Sequence, residues 1–323
     1  MLYSKKKMNM KRSITLFLFL SVAMFSFSQQ DPQYSLNSFN NATINPGYAG
    51  SNEMICAKLL HRSQWMGFDN APNTNVINVN AALEPGGIKS GVGLTIMQDK
   101  LGFESNVLIK AAYAYRMELG DGMLGIGLGL GLINKSIDGD WNSPSSLETG
   151  GNVFLDQSIP HMDSRMTFDL DFGGYYLTKD YYVGLSTTHL NKSTLKVDDK
   201  QSIFNARHYY VSGGYHYQLP NPLLLFSPSL LVKTDGATTQ FNVNALITYN
   251  NKISGGVAYS VGDAISPMII ARIGEIQAGL SYDIGLSDIA KYNNGSFEFF
   301  LGYCFTITKD TRQGKYKSVR FLN

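Results

Sequence analysis

Between Gly122 and Asn134 the chain reads Gly-Met-Leu-Gly-Ile-Gly-Leu-Gly-Leu-Gly-Leu-Ile-Asn, with glycine at 125, 127, 129 and 131 and Leu or Ile at 124, 126, 128, 130 and 132. A period of two belongs to a β-strand, which sends alternate residues to opposite faces, whereas a helix groups i, i+3 and i+4. One face is hydrocarbon and the other is bare. The stretch is too short and too glycine-rich to cross a bilayer as a helix, but it suits a tilted transmembrane strand of roughly 9–11 residues. In lipid such a strand needs a closed sheet, because an open edge would leave backbone groups unpaired.

The rest of the composition agrees. Charged residues are only 16% of the 323, and aromatics reach 12%, with 19 Tyr and 18 Phe against 2 Trp. Charge that sparse, against about 25% in ordinary soluble domains, suits a surface that meets something other than water. Mean hydropathy is −0.10, which excludes a bundle of apolar helices and suits strands with apolar exteriors and polar interiors. At the N-terminus Lys5, Lys6, Lys7, Lys11 and Arg12 precede an apolar run from Ile14 to Phe27 and then Ser28, Gln29 and Gln30. This is the pattern of a secretory signal peptide over residues 1–28. Its removal leaves 22 basic against 25 acidic residues, a net charge of −3, which offers no electrostatic attraction to nucleic acid.

Fourteen segments with strand character follow, at about 54–63, 75–83, 88–97, 104–119, 122–134, 165–177, 180–188, 206–219, 222–233, 238–249, 252–262, 266–274, 275–284 and 296–308. Their connections alternate in kind. Tight turns such as Glu84-Pro85-Gly86-Gly87, Gly120-Asp121 and Asn250-Asn251 follow the even strands, while longer loops at about 64–74, 135–164 and 189–205 follow odd ones. Segregated turn lengths are the habit of outer-membrane barrels, with short turns in the periplasm and long loops outside. The expectation is an all-β chain forming a single closed antiparallel transmembrane β-barrel of about 14 strands in the outer membrane of a Gram-negative bacterium. The barrel spans 54–308, a plug-like segment spans 29–53, a basic tail spans 309–323, and both mature termini lie in the periplasm.

Individual strands sort their faces. Phe168, Leu170 and Phe172 alternate with Asp169 and Asp171, and Phe241, Val243 and Ile247 with Asn242 and Asn244. The pairs Tyr175-Tyr176, Tyr181-Tyr182 and Tyr209-Tyr210 at strand ends suit interfacial girdles, with scattered core tyrosines as the alternative. Closure makes the first and last strands neighbours, bringing Cys56 and Cys304 to one seam with both facing the lumen. A seam disulfide and two small unbonded neighbours both remain open readings there. Histidines 61, 161, 189, 208 and 216 fall in no metal or nucleophile spacing. Ser186 and His189 have opposite parity, so no Ser-His pair is expected, and no enzyme, cofactor or metal site is assigned.

Before the first strand lie Asp31-Pro32-Gln33-Tyr34-Ser35, Phe39-Asn40 and Ile44-Asn45-Pro46-Gly47-Tyr48-Ala49-Gly50. The first long loop holds His61-Arg62-Ser63-Gln64-Trp65-Met66-Gly67-Phe68-Asp69-Asn70. Taken together, and with Tyr113-Ala114-Tyr115-Arg116, Tyr181-Tyr182-Val183-Gly184-Leu185-Ser186, Arg207-His208-Tyr209 and Tyr282-Asp283-Ile284-Gly285, the mature chain resembles the PorP/SprF family associated with type IX secretion and gliding. The resemblance implies a non-enzymatic outer-membrane barrel with the type IX translocon as partner. It further implies either a secreted surface adhesin as cargo or a peptidoglycan-binding periplasmic lipoprotein as anchor, without choosing between them.

From the residues themselves, 29–50 is poor helix or strand material and reads either as a lumenal plug or as a loose periplasmic leader. The inward stripe of Gly125, Gly127, Gly129 and Gly131 would leave room for a plug. Gln64, Trp65, Gly67, Phe68 and Asp69 are the candidate contact residues, either for a partner or for packing on other loops. The tail carries Lys309, Arg312, Lys315, Lys317 and Arg320 against one acid, Asp310, and suits anionic headgroups, a periplasmic partner or plain solvation. The competing function is a passive or substrate-specific channel guided by lumenal polar groups.

Overall fold

A computed structural model describes residues 31–137, 163–192, 194–197 and 201–306. The first half of the sheet consists of β1 (Ile55–Ser63), β2 (Asn73–Leu83), β3 (Ser90–Leu101), β4 (Glu104–Leu119), β5 (Gly122–Ile137), β6 (Asp163–Leu177) and β7 (Tyr181–Thr188). The second half begins with β8 (His208–Tyr215), which resumes at Tyr217–Gln218 after a break at His216. It continues through β9 (Leu224–Thr234), β10 (Thr239–Tyr249), β11 (Ile253–Ser260), β12 (Ala264–Ile273), β13 (Ile276–Gly285) and β14 (Ser296–Phe305). Each pairs antiparallel with its neighbour, and β14 pairs with β1 from Ile55↔Phe305 to Ser63↔Phe297, so the fourteen strands form a closed barrel. Among the described residues no edge of this sheet is left for lipid to meet.

The glycine alternation falls where period-two reading put it. On β5, Gly125, Gly127, Gly129 and Gly131 face in, while Leu128 and Leu130 face out at 61% and 65% exposure. Phe168, Phe241, Ile269 and Leu301 on other strands are exposed in the same way. A belt of large apolar side chains around the whole wall is stable only against hydrocarbon. The opposite face buries Asn78, Asp169, Asp171, Asn242, Asn244 and Glu298.

The tyrosine pairs depart from the girdle expectation. Successive residues of one strand face opposite ways, so one member of each pair turns inward: Tyr175, Tyr182 and Tyr210 are buried, whereas Tyr181 and Tyr209 are exposed. The long 189–205 connection, expected as a loop, also contains a small hairpin, Thr194–Val197 with Gln201–Phe204. Cys56 and Cys304 are directly opposed on β1 and β14 and joined by a disulfide. The leader 1–28, most of the 135–164 connection and the basic tail lie outside the described residues.

Residues 31–54 run through the interior in short turns, Asn37–Phe39, Asn41–Ile44 and Pro46–Tyr48. Asp31 meets Thr188, His189, Tyr210 and Lys233 at the end of the barrel that carries the long loops, and the chain leaves toward β1 at the end that carries the short turns. The two ends of the described chain therefore sit at opposite mouths, whereas the turn pattern of the sequence leads to the expectation of both mature termini on the short-turn side. The reason is that the segment traverses the whole lumen before β1 begins.

Candidate functional site

The lumenal segment is held to the wall by three sets of contacts, each pairing plug backbone with groups projecting inward from the strands. Near the long-loop end, His189 follows β7 with Nδ1 2.8 Å from Asp169 Oδ1 and Nε2 2.9 Å from Asp31 Oδ1. Tyr210 donates to Asp31 Oδ2 at 2.6 Å, and Lys233 donates to the Asp31 carbonyl at 2.8 Å. Burial pushes Asp31 toward the neutral form, but His189 and then His208 outweigh it and hold the carboxyl well below its usual range. Burial likewise opposes the His189 imidazolium, but Asp31 and then the Asp169 hydrogen bond outweigh it, and its pKa is pushed up to about 10. A charged His189 donating to two carboxylates is the physical content of this latch.

That arrangement has a pH signature. His189 titrates above its ordinary 6.5, so its contribution to docking is complete below about 6.5 and is lost as pH rises to about 10. Asp31 titrates below its ordinary 3.8, so its contribution is present above about 3.8 and is lost as pH falls below that. Amide exchange of residues 31–36 should therefore be slowest, after correction for intrinsic rates, between about pH 4 and 6.5, and protection should fall on both sides. Constant protection from pH 6.5 to 10 would rule out the imidazolium as the lock.

The second set is a buried triad. Arg62 on β1 lies 2.7 Å from Asp283 Oδ2 on β13 and 2.9 Å from Glu298 Oε2 on β14. Glu298, fully buried, also accepts the backbone N–H of Ser35 at 2.8 Å and of Leu36 at 3.0 Å, while Ser35 Oγ donates to Asp283. The wall charges thus satisfy plug amides that would otherwise be orphaned inside the barrel. Deeper in, Lys110 on β4 pairs with Asp171 on β6 and donates to the Thr43 carbonyl at 2.9 Å.

The third set is close backbone packing near the short-turn end. A Cβ built on Gly47 would lie 2.8 Å from Gly125 O and 2.9 Å from Gly173 O, and one on Gly127 would run into Pro46. Asn45 Nδ2 donates to Gly174 O at 3.0 Å, and Ser186 donates to the Ile44 carbonyl at 2.8 Å. The glycine stripe therefore divides. Gly125 and Gly127 meet the plug backbone, whereas a Cβ on Gly129 or Gly131 would first meet side chains of the wall, Asp171 and Lys110 or Leu108 and Asp169.

The candidate residues of the first long loop split as well. Met66 donates its N–H to Gly295 O at 2.8 Å and accepts from Asn294 N at 2.7 Å, while Trp65 N donates to Ser296 Oγ at 3.1 Å. Gln64 N donates to Pro72 O at 2.9 Å, and Gln64 and Trp65 are half-buried. Gly67, Phe68 and Asp69 form an exposed tip, with Phe68 40% exposed. Trp65 with φ 50° and Gly67 with φ 100° turn the chain outward beyond this strap.

Asp31, His189 and His208 bring ligand-type atoms within 4.8 Å of one another. In the protein as it stands His189 directs both ring nitrogens to carboxylates and His208 Nδ1 lies 3.0 Å from Ala206 O, so the group is a hydrogen-bonded lock. Ser186 and His189 both turn into the lumen, where parity implies opposite faces, because His189 at φ 55° lies past the alternation of the strand; they still bond separately, Ser186 to the Ile44 carbonyl and His189 to Asp31 and Asp169. Sequence reasoning passed over Asp31, Arg62, Lys110, Asp283 and Glu298 as site residues. Asp31, the sole charged residue in 29–52, was the available signal.

A family model described as type IX secretion system membrane protein PorP/SprF matches residues 26–303. No curated protein sequence matches the chain. Among solved structures, Omp33 of Acinetobacter baumannii aligns with a TM-score of 0.43 and 8% identity, over 79% of this chain and 99% of that one. A mutant of the monoaromatic hydrocarbon channel TodX aligns with a TM-score of 0.45 and 9% identity over 79% and 90%, and outer membrane phospholipase A from Escherichia coli with 0.35 and 9% over 77% and 96%.

Proposed function

The chain belongs to the PorP/SprF family of type IX secretion system membrane proteins, and on that premise we propose that it is a non-enzymatic, permanently plugged partner of the secretion machinery in the outer membrane. Its long loops face outside and its short turns face the periplasm, after a signal peptide over 1–28 has been removed. It works by recognition, helping an adhesin-type cargo to be exported and held at the surface, or tethering the machinery through a peptidoglycan-binding lipoprotein. The basic tail contributes a periplasmic contact.

The observation that carries this reading is the contact of the Pro46–Gly47 backbone with Gly125, Gly127 and Gly173. A lumen packed backbone against backbone suits a docking body better than a conduit. The strapped first loop supports it too, since it presents Phe68 and Asp69 on a tip whose base is fixed to residues 294–296. An apolar ring held out on a rigid base loses little entropy on binding.

Affinity capture of the detergent-solubilised protein is the test, with Phe68→Ala/Asp69→Ala beside the parent chain. Recovery of an adhesin or a peptidoglycan-binding lipoprotein, reduced about tenfold by the double change, is expected. Tenfold is about 1.4 kcal/mol, within the range for truncating an aromatic contact at an interface. Large, steady single-channel steps from the parent protein in planar bilayers would instead establish the channel reading.

A further inference from the structure

At the short-turn end the lumen is not full. A cavity of about 370 Å³, the room of roughly a dozen waters, lies beside the plug and reaches the turn residues Asn251 and Lys252. One side is aromatic. Tyr175 stacks on Tyr182 with ring centroids 5.6 Å apart, and Tyr48 meets Tyr175 edge-on at 5.1 Å. The other side carries Lys58, Lys252 and Arg272, and among the described residues no Asp or Glu borders the space.

Strand register explains why those three cations share one arc. Lys58 on β1 opposes Gly302 on β14, which opposes Gln277 on β13, which opposes Arg272 on β12. Arg272 N in turn donates to the Lys252 carbonyl at 2.6 Å. Elsewhere in the lumen, Arg62 and Lys110 are matched by Asp283, Glu298 and Asp171. Among the described residues neither Lys252 nor Arg272 has an acidic partner within 4 Å, and Lys58 reaches only the Phe39 carbonyl at 2.9 Å. The acid on the adjacent turn, Glu275, is engaged by Tyr303, which lies on the outer wall.

We propose that this vestibule binds an acidic segment of a periplasmic protein, seating a carboxylate among Lys58, Lys252 and Arg272 and an aromatic side chain against Tyr48, Tyr175 and Tyr182. The inference rests on the orientation given under Proposed function, which puts the short-turn mouth in the periplasm. The cavity admits a few side chains and not a folded domain. It is separated from the acyl chains by the paired wall of β12, β13 and β14, so a water-borne peptide reaches it where a bilayer lipid does not. The protein's own tail is a poor match in sign, since its side chains are five basic against one acidic.

The test uses the full mature chain in detergent micelles, a fluorescein-labelled hexapeptide of alternating Asp and Phe, and the same peptide with Lys for Asp, read by fluorescence anisotropy. The acidic peptide should bind and the basic one should not, and Lys252→Glu/Arg272→Glu should weaken binding at least about tenfold, or about 1.4 kcal/mol. Added salt should weaken it further. Both substituted residues are exposed at the rim, and heat-modifiable migration confirms folding; if the double reversal misfolds, Lys252→Gln/Arg272→Gln should still weaken binding several-fold. Equal binding of both peptides, binding indifferent to the charge changes, or a site filled by phosphatidylglycerol that the peptide cannot displace would each overturn the proposal. Capture of a partner from cells without any peptide binding would sink the vestibule alone, whereas peptide binding without capture would sink the partner role alone.

Discussion

Valine at both Gly125 and Gly127 is expected to expel the lumenal segment while leaving the barrel closed. A Cβ at either position collides with plug backbone, at Gly47 or Pro46, and backbone wedged inside a barrel cannot swing aside as a side chain can. Overpacking of this kind costs about 1–3 kcal/mol per site. The two changes strike the same turn, so their costs will not simply add. The outer face of β5 is untouched and the strand ladder gains β-branched residues, so the wall itself should persist. Chymotrypsin, with sites at Tyr34, Phe39 and Tyr48, or proteinase K should cut the N-terminal segment at least about tenfold faster, with folded migration on gels preserved. Gly129→Ala is the internal comparison, because its neighbours are Asp171 Cβ at 3.1 Å and the flexible Lys110 side chain at 3.4 Å, and its effect should be small. A double valine variant whose segment stays protected would show that the close approach does not hold the plug.

Glu298→Ala should do more damage per atom removed than any other single change in the lumen. It leaves Arg62 with Asp283 as its one carboxylate partner and orphans the N–H groups of Ser35 and Leu36. Breaking one side of a buried ion pair costs about 3–5 kcal/mol, and each stranded donor about 1–3 kcal/mol more. Relief is available by undocking, because a freed segment exposes its amides to water. The expected result is single-channel steps in planar bilayers that the parent protein lacks. Glu298→Gln keeps one acceptor oxygen and should fall between the two. Silence from the alanine variant would mean that the triad is dispensable for occlusion.

The wall was largely legible from the residues. Alternation located β4 and β5 and put Gly125 through Gly131 on the inner face, and turn chemistry at Glu84–Gly87, Gly120–Asp121 and Asn250–Asn251 marked the strand boundaries. These signals are local, set by the pleat and by φ preferences of a few adjacent residues. The resemblance carried by Asn45-Pro46-Gly47-Tyr48 and Arg62-Ser63-Gln64-Trp65 also held, since the family model spans residues 26–303.

The locks were not legible, for an equally physical reason. Asp31 finds His189 158 residues away, and Ser35 finds Glu298 across 263. An inward carboxylate bathed in water and one clamped to a plug amide have the same sequence pattern. The direction of the N-terminal segment was hidden too: its Asn, Ser and Gly residues satisfy backbone groups in either sense, and only the position of Asp31 among Thr188, Tyr210 and Lys233 reveals it. The tyrosine pairs divide between the girdle and core readings because neighbours on one strand face opposite sides, so only one member of each doublet can reach the outer interface.

The path of residues 31–54 also has a mechanical consequence. The segment is a thread inside a tube, continuous with the wall only where it joins β1. Tension from the mouth that carries Asp31 runs along the thread, so it reaches the Asp31 latch first, then the Glu298 bonds, the Lys110 bond and the Gly47 packing, and ends on the join to β1. Past that join the load passes to β2 and β14, which pair with β1 along its length. Such a pull would unthread the tube without detaching the thread from it.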